Sequence, residues 1–161
     1  MTTIRIKRGS VQRGGVKGAR AHLNAVAKRL GNLTPGFEAA HKQFIDDEVR
    51  LFESEGATGA HGPWPPNKPA TVTRKGHARI LRGMPSKGFQ LRASCVDPTH
   101  PEHVFRVTGR LVQMGTSHWK AAVHAEGRGG LPRRRPVDPT RAQRQRYSHL
   151  IGRFWATGKV A

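Results

Sequence analysis

The sequence predicts an α+β fold: N-terminal helices, a long Pro/Gly loop, a small antiparallel β-sheet and a C-terminal helix. Three observations predict it. Apolar residues recur at helical spacing before residue 55 and again after residue 141. Between residues 89 and 115 the apolar period shortens towards two. Gly and Pro crowd the stretch that separates these regions. A chain of 161 residues suits one domain, and with 35% hydrophobic residues beside 19 Gly and 11 Pro its core should be modest. Residues 1–18 read as a basic arm, and residues 19–161 as a single α+β domain with an extended loop at about 56–78.

Within the arm, Ile4 and Ile6 alternate with Arg5 and Lys7, but Gly9, Gly14, Gly15 and Gly18 break any regular pattern. Leu23, Val26, Ala27 and Leu30 then keep the i, i+3, i+4, i+7 spacing of a helix over 19–30. A second helix is expected over 34–55, with Thr34 as its cap, Pro35 at its first helical position and Glu38 in its first turn. Its apolar stripe is Phe37, Ala40, His41, Phe44, Ile45, Leu51 and Phe52, and Gly56 stops it. Residues 56–77 hold few regular signals around one large side chain, Trp64, which reads as an anchor. Its target is either its own core or a partner's pocket. Residues 89–94, 104–107 and 111–115 alternate as strands of a three- or four-stranded antiparallel sheet. Residues 119–124 fit a short helix or a last strand, and 126–131 a flexible link. Tyr147, Leu150, Ile151 and Phe154 mark a C-terminal helix over 141–156.

Charge is unevenly divided. The formal net charge is +19, yet residues 34–55 hold six of the ten acids against Lys42 and Arg50, a local net of −4. The remainder has 27 Lys and Arg against four acids, a net of +23. Such a field favours a polyanion, most often nucleic acid. Asp46, Asp47 and Glu48 on the acidic helix read either as a solvated face or as a contact with a neighbouring copy's basic patch. Arg133, Arg134 and Arg135 form the only basic triple, and Arg74 and Lys75 flank the loop. No helix-turn-helix, zinc-finger or RNP pattern accompanies them, so phosphate proximity fits better than base readout.

Catalytic chemistry is poorly supported. Only Asp97, Glu102, Glu126 and Asp138 lie outside the acidic segment, too few carboxylates for magnesium-dependent phosphoryl transfer. Neither a GxxxxGK[ST] loop nor a GxSxG elbow is present. His100 and His103 beside Asp97, and His118 with His124, match no metal framework. The single cysteine, Cys95, permits no intrachain disulfide and reads as a small buried hydrophobe. No apolar run approaches the roughly 20 residues of a membrane span, and nothing resembles a signal peptide. The expectation is a soluble, non-enzymatic protein made in a reducing cytoplasm, with no catalytic residue, metal or cofactor.

One succession of features spans residues 52–136: Phe52-Glu53-Ser54-Glu55-Gly56, Trp64-Pro65, Thr71 and Thr73 with Lys75, Ile80-Leu81, and Gly88-Phe89-Gln90-Leu91-Arg92-Ala93-Ser94. It continues as Gly115-Thr116, Trp119-Lys120-Ala121, His124-Ala125-Glu126-Gly127 and Arg135-Pro136. In order and spacing this resembles the virion-morphogenesis (tail-completion) family of tailed bacteriophages. The resemblance implies a structural protein of the neck, where tail joins head, forming a ring, with hexamers the expected form, around the DNA channel. It implies neighbouring neck and tail-terminator proteins and nonspecific duplex DNA as partners, no membrane, and a place in the virion after assembly in host cytoplasm. Channel-facing residues would then be Arg74, Lys75, Arg133, Arg134 and Arg135; subunit contacts would involve Asp46, Asp47, Glu48, Trp64 and Trp119. The alternative from charge alone is a sequence-nonspecific nucleic-acid-binding protein of ribosomal or nucleoid type.

Overall fold

The computed structural model describes residues 15–83, 90–108 and 111–160, and expectations for residues 1–14, 84–89 and 109–110 lie outside them. Six α-helices and one hairpin follow in the order α1 (Gly15–Gly31), α2 (Thr34–Glu53), α3 (Pro69–Lys75), α4 (Gln90–Val96), β1 (His103–Thr108), β2 (Leu111–Thr116), α5 (Trp119–Glu126) and α6 (Arg141–Thr157). The fold is α+β with a C-terminal helix. Among the described residues the longest helix is too polar to cross a membrane.

Helix α2 is the spine. Its expected stripe is the buried one: Phe37, Ala40, His41, Phe44, Leu51 and Phe52 all face inward. Ala40 and Phe44 pack with Tyr147 of α6, supported by Ile45, Met114, Val137 and Ile151. Further along, Leu51 and Phe52 join Trp64, Ile80, Leu81, Leu91 and Cys95 in a second cluster. Cys95 is a free, fully buried thiol, and burial pushes its pKa up, so it packs as a hydrophobe. Helix α6 opens with a full capping box: Thr140 Oγ1 accepts from Gln143 N at 3.2 Å, and Gln143 Oε1 accepts from Thr140 N.

Helix α1 is different. It buries no residue, and it meets the body through Arg29, whose Nε and Nη2 donate to the carbonyls of Trp155 (2.7 Å) and Ala156 (2.9 Å). Those carbonyls end α6 without intrahelical partners, so a guanidinium is a natural stopper.

Several expectations change. Residues 90–94 form helix α4, not a strand, because Leu91, Ser94 and Cys95 are buried at i, i+3, i+4. Six residues of alternating polarity satisfy either period when the run is this short. The sheet among the described residues is therefore two-stranded, pairing His103 with Thr116 through Thr108 with Leu111. The long loop contains helix α3, whose start is set by Pro69. Residues 119–126 are helical, and Arg128–Gly130 is a 3-10 turn rather than an unstructured link. Residues 15–18, assigned to the arm, are the first turn of α1. Thr34 does not cap α2: Leu33 holds the cap position without a side-chain bond, Asn32 Oδ1 accepts from Thr34 N at 3.1 Å, and Glu38 falls beyond the first turn.

Polar links fasten the hairpin to the helices. Ser94 Oγ donates to Leu91 O (2.9 Å), Thr116 Oγ1 donates to Ser94 Oγ (2.8 Å), and His118 N donates to Thr116 Oγ1 (3.0 Å). On the other side, His103 Nδ1 donates to Ser94 O at 3.1 Å, which leaves its Nε2 to accept from His41 Nε2 at 2.7 Å. His41 also stacks flat on Phe105, 4.0 Å between centroids. Burial, and then His103, lower the pKa of His41 to about 4. His41 is therefore held neutral over a wider pH range than a free imidazole. Unfolded histidine titrates near 6.5, so the unfolded state binds more protons as pH falls from about 6.5 to about 4, and stability falls with it. The buried Glu48 carboxyl, pushed well above the usual carboxylate range by burial and by Asp138 and Asp47, works in the opposite direction. The difference between parent and His41→Phe melting temperatures isolates the histidine: it should shrink by several degrees from pH 7 to pH 4.5. A difference that stays constant over that window would show the pair to be uncoupled from folding.

Candidate functional site

A cleft of about 710 Å³ opens between α3, α5 and the segment that follows the 3-10 turn. Sequence explains each wall. Pro69 starts α3 after the extended 65–68 stretch, and this short helix ends on Arg74 and Lys75, cations suited to its negative end. Asn67 Nδ2 donates to Ala78 O (2.9 Å) and Arg79 O (3.2 Å), folding the chain after α3 back on the loop before it. The far wall begins at His118, the N-cap of α5, whose Nδ1 accepts from Lys120 N at 3.3 Å. Trp119 and Lys120 follow, the ammonium 5.5 Å from the indole centroid. Arg134 forms the floor: it is buried, and its Nε and Nη2 donate to Pro65 O (2.8 Å) and Pro66 O (2.7 Å).

Among the described residues, five cationic side chains line this space, Lys68, Arg74, Lys75, Lys120 and Arg134, and no carboxylate does. Their mutual field is visible in neighbouring titrations. Burial, then Arg134, lowers the pKa of Lys75, against a smaller opposing effect of Glu55. Burial lowers His124, and Arg134, Lys120 and Lys75 lower it further. His124 Nδ1 is buried without a hydrogen-bond partner. The arrangement is an anion cradle with one aromatic wall. A smaller groove of about 310 Å³, between the hairpin and α5, is lined by Val104, Met114, Ala121 and Val137 among others and carries no charged side chain.

Of the residues singled out in sequence, the fold brings Arg74, Lys75, Arg134 and Trp119 to this one cleft. Arg133 is exposed, and Arg135 is half-buried with its carbonyl accepting from Trp64 Nε1 at 3.2 Å. Four candidates are interior rather than surface residues, which corrects their assignment to DNA or subunit contacts. Trp64 folds back onto its own core, edge-on to Phe52 at 5.3 Å. Arg134 spends its guanidinium on the loop carbonyls. Asp47 accepts from Tyr147 Oη (2.8 Å) and Arg146 Nη2 (3.1 Å), so the arginine it pairs with is its own chain's. Glu48 is buried, with Oε2 unpartnered. Asp46 alone of the acidic trio is exposed.

Sequence reasoning missed Lys68, Lys120 and His124 as parts of the same site. Lys120 beside Trp119 was the available signal; their approach to α3 depends on tertiary folding. Among the described residues no three His, Cys, Asp or Glu side chains converge. His100 Nδ1 accepts from Glu102 N, and Asp97 Oδ1 accepts from Thr99, both local turn bonds. Compared with known proteins, the chain matches no family model, no curated protein and no solved structure.

Proposed function

We propose that the chain is a structural virion protein of the head–tail joining region, a tail-completion subunit forming a ring around the DNA channel. The observation that carries this reading is where the residues of the phage-like pattern fall. Phe52, Trp64, Ile80, Leu81 and Leu91 belong to one core cluster, and Gly56 lies under the Trp64 indole. Ser94, Thr116 and the start of α5 are joined by consecutive hydrogen bonds. Residues of the pattern thus supply much of the second core cluster and the joint between α4, the hairpin and α5.

Two surfaces suit ring assembly. Val16, Leu23 and Leu30 lie seven residues apart on α1 and remain exposed at 87%, 65% and 36%, an apolar stripe that a second copy would cover. The excess of cations, a net +19, suits a wall facing duplex phosphates without reading sequence. Neighbouring neck and tail-terminator proteins would complete the stack.

Sedimentation of the purified chain without DNA tests the reading. A ring-sized species is expected, and Leu23→Glu should convert it to monomer because a charge then enters the covered stripe. A parent chain that sediments as a monomer at all concentrations would sink the ring. The second reading, a nucleic-acid-binding protein that reads no sequence, is favoured by the cationic cleft. It predicts that same monomer, with DNA affinity falling steeply as salt rises.

A further inference from the structure

We propose that the cleft between α3 and α5 is a binding site for single-stranded nucleic acid, with phosphates held by Lys68, Arg74, Lys75 and Lys120 and a base stacked on Trp119. The inference rests on the cleft itself and not on the ring reading, so failure of either leaves the other standing.

Size, charge and the aromatic wall argue for this ligand together. A volume of about 710 Å³ lies within the usual range for small-ligand sites and suits one or two nucleotides. Besides the bonded Arg134, four cations line it and, among the described residues, no carboxylate does, a field that phosphates, releasing their counterions, would relieve. Cations alone would accept any polyanion. Trp119 narrows the choice, because the residue is 64% exposed at the rim of this field. An exposed indole beside ammonium groups is the pairing that single-strand binders use, one partner for the planar base and the other for the backbone. A duplex keeps its base faces inside the stack and gives Trp119 nothing planar. An acidic peptide supplies charge but no obligatory ring. Inside the cleft, the unpartnered His124 Nδ1 and the Thr71 and Gln90 side chains offer hydrogen bonds to a base edge or a phosphate oxygen. The site is assembled from stretches far apart in the chain, which is why no contiguous basic-aromatic motif announces it.

Fluorescence anisotropy of a labelled oligothymidylate about ten nucleotides long, on the full chain, tests the proposal. Trp119→Ala should weaken binding about tenfold, the loss of one stacked base. Trp119 is exposed, so this variant is expected to melt like the parent. Lys75→Gln with Lys120→Gln should weaken binding and flatten the salt dependence by about 0.7 log units per lost phosphate contact. Arg106→Gln, an exposed cation on β1 outside the cleft, should bind as the parent does. A Trp119→Ala variant with parent affinity would overturn the proposal. So would equal losses for Arg106→Gln and Lys120→Gln, which would mean diffuse charge attraction. Displacement of the strand by polyglutamate or inorganic tripolyphosphate at equal charge concentration would also overturn it, assigning the cleft to an acidic peptide or to free phosphate.

Discussion

Replacing Asp47 with alanine is expected to lower folding stability by about 2–4 kcal/mol, read as a fall in the urea midpoint. Asp47 is buried on α2, and its two oxygens accept from Tyr147 Oη, Arg146 Nη2 and Gln43 Nε2. Arg146 is largely exposed and would return to water when its partner is lost. Tyr147 would not, because its ring packs edge-on against Phe44 with 6.3 Å between centroids, and its hydroxyl would remain buried without an acceptor. Removing the carboxylate also relieves Glu48 of a like charge, a smaller cause of its raised pKa than burial or Asp138. Tyr147→Phe supplies the comparison: it deletes the donor and leaves Asp47 bound to Arg146, so about 1 kcal/mol is expected. If Asp47→Ala costs no more than Tyr147→Phe, the buried carboxylate is not what joins α2 to α6.

Gly56→Ala should be comparably damaging, roughly 3 kcal/mol or more, with the Trp64 environment visibly disturbed. Gly56 holds φ +92, and a Cβ built there lies 2.5 Å from Trp64 Cδ1 and 2.7 Å from its Cγ and Nε1. The indole has no room to yield. Phe52, fully buried, stands edge-on against it, and Arg135 O holds its Nε1. Gly62→Ala separates strain from collision, since Gly62 has φ +76 but open space around its Cα. About 1 kcal/mol is expected there. Near-ultraviolet circular dichroism and urea titration read both variants, and equal costs would mean that the contact with Trp64 is unimportant.

Much of this architecture was legible from residue order alone. The α2 stripe was readable because 20 residues give the 3.6 period several turns to repeat. The same holds for Tyr147 to Phe154 on α6. The hairpin strands were readable because Val104 to Val107 and Leu111 to Gly115 alternate between turn residues. Helix α4 was not: Gln90 to Val96 is two turns long, and its period is decided by what packs against Leu91 and Cys95. Burial of Asp47, Glu48 and Arg134 was hidden for a related reason. Charged residues are seldom interior unless partnered, and the partners Tyr147, Pro65 and Pro66 lie 100, 69 and 68 positions away. The candidate site was half legible. Arg74, Lys75, Arg134 and Trp119 were each visible, but their meeting belongs to the fold.

The clamp of Arg29 on the end of α6 gives the molecule two levels of stability. Helices α2 and α6 share a packed interior and open together, whereas α1 buries no residue and can lift away without disturbing that interior. Its opening is expected to cost less than opening the body, since a guanidinium on two carbonyls is its only hydrogen-bonded tie to α6 among the described residues. A surface that receives its apolar stripe can therefore order α1 while leaving the body unchanged.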